Sequence, residues 1–142
     1  MNETDVAVAI LYRSGMVLVC QRKAHRPLGG YWEFPGGKRE PDETIEDCLI
    51  RELREELAVL VRPVAALTPI EHTYSHARVR LHPFVCVLDP ASGTPQPIEC
   101  QAAVWVEPAR LRDYRFPPAN DRLLDEAIAY LAADRPEANR AQ

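Results

Sequence analysis

The 142-residue chain lacks any apolar run long enough to span a bilayer, and residues 1–5 are polar and acidic where a leader would be charged and then apolar. A spanning helix needs about 20 apolar residues, so the chain reads as unexported and cytoplasmic, with no membrane partner. A basic excess is also missing, since 17 Lys and Arg stand against 21 Asp and Glu for a net charge of −4. A surface that tracks a nucleic-acid polymer is basic, which leaves a small anionic molecule, gripped locally, as the expected partner. No C-x-x-C spacing occurs: Cys20, Cys48, Cys86 and Cys100 are scattered through apolar stretches. That distribution fits reduced buried thiols better than zinc ligands or disulfides. The four histidines are dispersed and form no helix-spaced ligand pair. Repeats and low-complexity segments are absent too. One domain with a real core is expected at this length, covering residues 1–134, with 135–142 as a flexible polar tail.

What the chain does have is a dense stretch from Trp32 to Val59, WEFPGGKREPDETIEDCLIRELREELAV. Phe34-Pro35 sets an extended approach, and Gly36-Gly37 is read as a turn whose bare backbone permits close contact. Thr44 suits an N-cap ahead of the apolar row Ile45, Leu49, Leu53 and Leu57, and acidic Glu46 and Asp47 suit the positive end of a helix. At roughly 100° per residue, Glu52, Glu55 and Glu56 fall on one third of that helix. Like charges one turn apart repel, so they need arginine neighbours, here Arg51 and Arg54, or a divalent cation. Hard cations such as Mg²⁺ take oxygen ligands and share them with substrate phosphates.

Around this stretch, Asp5 to Tyr12 is apolar at alternating and intervening positions, as in a central strand covered on both faces. Arg13-Ser14-Gly15 signals a turn into a second strand, Met16 to Arg22, forming a hairpin. Lys23 to Gly30 reads as a loop. Val61 to Tyr74 reads as extended structure interrupted at Pro63 and Pro69, and Arg78 to Leu88 as a long strand in which Pro83 marks a bulge or an edge. A turn over Asp89 to Thr94 precedes Pro97 to Gln101, which carries Glu99, and a short strand at Val104-Trp105-Val106. Pro108 to Leu111 opens a helical turn, and residues 115–120 form a rigid connector. Leu124, Ala127, Ile128 and Leu131 mark an amphipathic helix over Asp121 to Ala133. Strands on either side of one helix, with a second helix at the end, imply an α/β class, an α/β/α sandwich.

The order Gly37, five residues, Glu43, seven residues, Arg51-Glu52-Leu53, one residue, Glu55-Glu56, two residues and an apolar Val59 resembles the signature of the Nudix hydrolases. One position departs: the signature's glycine is Ala58, and an Ala in left-handed conformation there costs about 1 to 2 kcal/mol. The resemblance implies the same α/β/α sandwich with a mixed sheet, and Trp32 to Lys38, Glu99 to Trp105 and Phe116 to Asn120 extend it to the MutT-like branch. That branch hydrolyses oxidised guanine nucleotides such as 8-oxo-dGTP to the monophosphate and pyrophosphate, clearing the nucleotide pool. The implied cofactor is Mg²⁺, with Mn²⁺ as a substitute, held by Glu52, Glu55, Glu56, Glu99 and the Gly36 carbonyl. Glu52 is the first choice for the general base and Glu99 the second, while Arg51 positions the glutamate helix by pairing with Glu43 or Glu55.

For the substrate, the resemblance assigns base recognition to Asn120 and pocket walls to Glu33, Phe34, Pro35 and Gly36. Tyr74 falls at an aromatic position near the nucleoside and Arg22 at a basic one near the nucleotide. Taken alone, Asn120 reads as a cap on the last helix, a place asparagine favours, and one residue can serve both ends. A relative acting on CTP or a modified pyrimidine nucleotide stays open, and so does a non-catalytic nucleotide sensor. Such a sensor tends to lose signature glutamates, and none is missing here. Monomer and homodimer are equally compatible with the sequence.

Overall fold

The computed structural model describes residues 2–73, 75 and 77–133. Its long first strand, β1 (Asn2–Arg13), is the central one. Ala7, Ala9 and Leu11 are buried in one hydrophobic cluster and Val8 and Ile10 in another, so β1 is covered on both faces as its unbroken apolar pattern predicts. Ser14 and Gly15 both take positive φ, 51° and 81°, the twist that closes a two-residue hairpin. They lead into β2 (Met16–Gln21), with Arg13 opposite Met16. β2 pairs antiparallel with β8 (Ala102–Val106) along its length and with β3 (Trp32–Glu33) at its far end.

β1 also pairs in parallel with β7 (Ala77–Leu88), which carries β5 (Val61–Ala66) and β6 (Ile70–Thr73) antiparallel on its other side. The sheet is therefore mixed. Helix α1 (Ile45–Leu57) buries Cys48, Leu49, Leu53 and Leu57 against Ala7, Leu11, Leu18 and Phe84. Helix α2 (Asp121–Ala132) buries Leu123, Leu124 and Ala127 against Val8, Ile10, Val17 and Val85 on the opposite side. One helix on each face gives the α/β/α arrangement. Among the described residues no helix is long and apolar enough to cross a membrane.

Three local expectations change. Gly36-Gly37 is not a turn: Gly36–Lys38 forms a short strand, β4, antiparallel to Val6, Ala7 and Val8 of β1. Pro63 does not interrupt its strand but sits inside β5, followed at once by a register shift, which an edge strand tolerates because no ladder donor is needed on its open side. Pro83 is on an interior strand, where β7 passes from β6 to β5, and its carbonyl accepts from the Leu67 N–H. A strand residue's N–H and C=O point the same way, so the missing donor of Pro83 faces the gap between the two neighbours. The proposed tail, 135–142, lies outside the described residues.

Candidate active site

The site is built on α1. Thr44 caps its start, its hydroxyl oxygen accepting from the Asp47 N–H at 3.0 Å, with Glu46 and Asp47 in the first turn. Ala58 ends the helix at φ 57°, ψ 38°, and its N–H donates to the Arg54 carbonyl, so the residue that replaces the signature glycine does adopt the left-handed cap. Between these ends Arg51 is the hub. Its Nε and Nη2 clasp both oxygens of Glu43 at 3.0 and 2.8 Å, and Nη1 donates to Glu52 and Glu55, each at 3.0 Å. Nη2 also donates to the Lys38 carbonyl, tying the helix to β4. The Arg51 guanidinium holds the Glu43 carboxyl down at about 2, and the shared charge raises Arg51 in turn.

Glu52 and Glu56 face the diglycine strand. A Cβ on Gly37 would lie 2.3 Å from the Glu52 carboxyl carbon, and one on Gly36 would lie 1.9 Å from the Ala7 carbonyl oxygen. Only glycine lets the helix carboxylate and the β1 backbone approach this closely. The Gly36 N–H donates to Glu56 at 3.2 Å. Burial and the neighbouring Glu52 charge push the Glu56 carboxyl up to about 8, and burial also raises Glu52. Glu99 comes from the segment whose Gln96 and Ile98 N–H groups donate to the Leu57 and Glu56 carbonyls. Its charge is felt by both Glu52 and Glu56.

Among the described residues no three His, Cys, Asp or Glu groups converge to hold an ion as they stand. Arg51 draws Glu52 and Glu55 to itself, and Glu56 turns to Gly36. The donor set still suits a hard divalent cation: every group offered is an oxygen, and burial raises Glu52 and Glu56 as it does carboxyls with no cation beside them.

On the other side of Gly36 and Gly37 lies a cavity of about 300 Å³. Arg22, Glu33, Phe34, Gly36 and Asn120, all anticipated as substrate contacts, line it together. Arg22 donates to Glu33 at 3.1 Å and to the Pro27 carbonyl at 2.9 Å, which fixes its guanidinium at the cavity wall. Asn120 occupies the N-cap position of α2, yet its carboxamide makes no capping hydrogen bond. Pro35 is buried just ahead of β4, its carbonyl accepting from the Ala9 N–H, and is not among the cavity-lining residues. Tyr74 lies outside the described residues. Lys38, His72, Val79 and Leu81 also line the cavity and were not anticipated. The alternation of Val79 and Leu81 on their strand marks a shared face, but nothing local says which face meets the diglycine strand.

The NUDIX domain family model matches residues 6–126. The chain is 39% identical over 142 residues to the CTP pyrophosphohydrolase of Escherichia coli, covering 96% of this chain and 98% of that one. It is 32% identical over 114 residues to an 8-oxo-dGTP diphosphatase of Buchnera aphidicola, covering 78% and 90%. The solution structure of the E. coli ORF135 protein superposes with a TM-score of 0.81 at 38% identity, covering 96% of this chain and 95% of the other. With signature, fold and relatives in agreement, the chain belongs to the Nudix family and is a MutT-like Nudix hydrolase.

Proposed function

We propose that this hydrolase is a Mg²⁺-dependent nucleoside triphosphate pyrophosphohydrolase that reads its base with Asn120. The observation that carries the reading is the uncapped Asn120 carboxamide in one cavity with Arg22, Glu33 and the outer face of the diglycine strand, whose inner face meets Glu52 and Glu56. A Mg²⁺ ion, or Mn²⁺ in its place, held by Glu52, Glu55, Glu56, Glu99 and the Gly36 carbonyl would supply the charge neutralisation that phosphoryl chemistry demands. The chain's own part is to bind the base, to hold the triphosphate beside β4, and to take a proton from the attacking water. Glu52, which Arg51 holds by a hydrogen bond close to Gly37, is the first choice to take that proton, with Glu99 as the second candidate. Water then attacks phosphorus, and the nucleoside monophosphate and pyrophosphate separate.

A carboxamide accepts through oxygen and donates through its NH₂. Cytosine offers the complementary edge, an amino donor beside a ring-nitrogen acceptor. The near-full-length similarity to a CTP pyrophosphohydrolase favours this base. The 8-oxoguanine base offers N7–H beside O6, and the Phe116 to Asn120 segment with the 8-oxo-dGTP diphosphatase relatives favours that second reading. Undamaged guanine sets N7 and O6, two acceptors, against the same group. Values of kcat/KM for CTP, 8-oxo-dGTP and dGTP in wild type and Asn120→Ala test this. One of the first two is expected to exceed dGTP by about 100-fold or more, with most of that preference lost in the variant. Equal values for all three nucleotides, or a preference untouched by Asn120→Ala, would remove the reading.

A further inference from the structure

Asn120 sits at the end of the 115–120 connector, which lies outside the sheet and α2, so contacts along that connector decide where its carboxamide stands in the cavity. The contacts that do so run between residues 31–34 and residues 114–116. The Trp32 N–H donates to the Arg115 carbonyl at 2.8 Å. Trp32 meets Tyr114 edge-on with ring centroids 5.0 Å apart, and Phe34 meets Phe116 at 5.2 Å. The Arg115 guanidinium lies 4.3 Å from the centre of the Tyr31 ring. Tyr31 in turn accepts at its carbonyl from the Arg22 N–H at 2.9 Å, and Arg22 lines the cavity. The two walls of the pocket, one bearing Arg22, Glu33 and Phe34 and the other Pro117, Ala119 and Asn120, are thus joined by a seam that reaches the cavity only through Phe34 and includes none of the helix glutamates.

Resting on the proposal that Asn120 reads the base, we infer that Tyr31 and Arg115 are positioning residues for base selectivity, clamping the Asn120 connector to the wall that carries Arg22. Trp32, Phe34 and Phe116 are packed inside the seam, so changing them would disturb the core along with the connector. Arg115 is exposed and Tyr31 half-exposed. Their contact is a cation over a ring face, which holds orientation without contributing core. Loosening it leaves the glutamate helix and the chemistry alone while widening the range of places the carboxamide visits.

The test is steady-state kinetics on the preferred nucleotide and on dGTP, with Tm as a check on folding. Arg115→Ala and Tyr31→Leu are expected to raise KM for the preferred nucleotide by about threefold to tenfold, the range one such contact supports. They should leave kcat and Tm close to wild type and reduce selectivity over dGTP by the same factor. Tyr31→Phe, which keeps the ring face, is expected to recover selectivity. In an Asn120→Ala background, Arg115→Ala should add nothing further, because its effect passes through Asn120. Unchanged KM and selectivity in both single variants would overturn the inference. So would an Arg115→Ala effect of full size in the Asn120→Ala background, which would mean that Arg115 meets the substrate directly. If Asn120→Ala alone leaves selectivity intact, the base-reading proposal falls and the inference falls with it.

Discussion

Gly36 and Gly37 stand side by side and yet serve different ends. Beyond Gly36 lies the Ala7 backbone, and beyond Gly37 the end of the flexible Glu52 side chain. Backbone cannot step aside, whereas a side chain can, so the two alanine variants should separate fold from function. Gly36→Ala is expected to cost about 2 kcal/mol or more in stability, read by denaturant unfolding. Gly37→Ala should leave unfolding nearly unchanged but displace the Glu52 carboxylate, lowering kcat by about tenfold or more, the usual cost of moving a group that orients a metal site. Loss of stability without loss of turnover in Gly37→Ala would contradict the placement of Glu52. These roles were only half legible in the sequence: the glycine pair announced a close approach, but read as a turn, because a three-residue strand is recognisable only from its β1 partner. Asn120 is similar, since its suitability as a cap was visible and the free carboxamide was not.

At the scale of the element, α1 was almost fully legible. Its cap, apolar row and arginine-paired glutamates follow from spacing along one helix, and all of them lie where local rules put them. Leu123 of α2, outside the apolar set that spacing suggested, is buried with Leu124 and Ala127 in the cluster that holds Leu111 and Phe116, while Ile128 and Leu131 of that set are only partly buried, so the buried stripe is shifted round the helix. Ala58, the cap that follows α1, is at odds with its left-handed conformation. Replacing it by glycine relieves a left-handed cap worth about 1 to 2 kcal/mol, offset in part by about 0.5 to 1 kcal/mol of unfolded-chain entropy. Ala58→Gly is therefore expected to raise stability by up to about 1 kcal/mol, roughly 3 °C in Tm, with kcat unchanged. A lower Tm would show that this end of the helix is not strained. The prolines were less legible, because whether Pro63 or Pro83 breaks a strand depends on which neighbours flank it.

Across the whole molecule, the mixed sheet and its two helix layers follow from a central strand that is apolar on both faces, whereas the pocket joins segments up to about a hundred residues apart and needs the fold to be seen. Concentrating carboxylates beside that pocket has a pH signature. Glu56 binds its proton up to about 8 in the folded, metal-free protein, against an ordinary 4.5, and Glu52 shifts the same way. The folded state therefore holds more protons than the unfolded one between those values, and metal-free stability must fall as pH rises from about 5 to 8. Glu43, held at about 2, loses its contribution only in stronger acid and does not oppose this. Thermal unfolding in EDTA should show Tm dropping over that interval, and Mg²⁺ should raise Tm more at pH 8 than at pH 5. A flat metal-free profile would contradict the burial of Glu56. Pyrophosphate release from the preferred triphosphate, by wild type and Glu56→Gln, with and without Mg²⁺, tests whether the buried glutamates serve a metal-dependent pyrophosphohydrolase. Wild type with Mg²⁺ is expected to release pyrophosphate and monophosphate in equal amounts, with turnover reduced by orders of magnitude in EDTA or in Glu56→Gln. Orthophosphate as the product, or undiminished turnover in EDTA or in Glu56→Gln, would contradict that role.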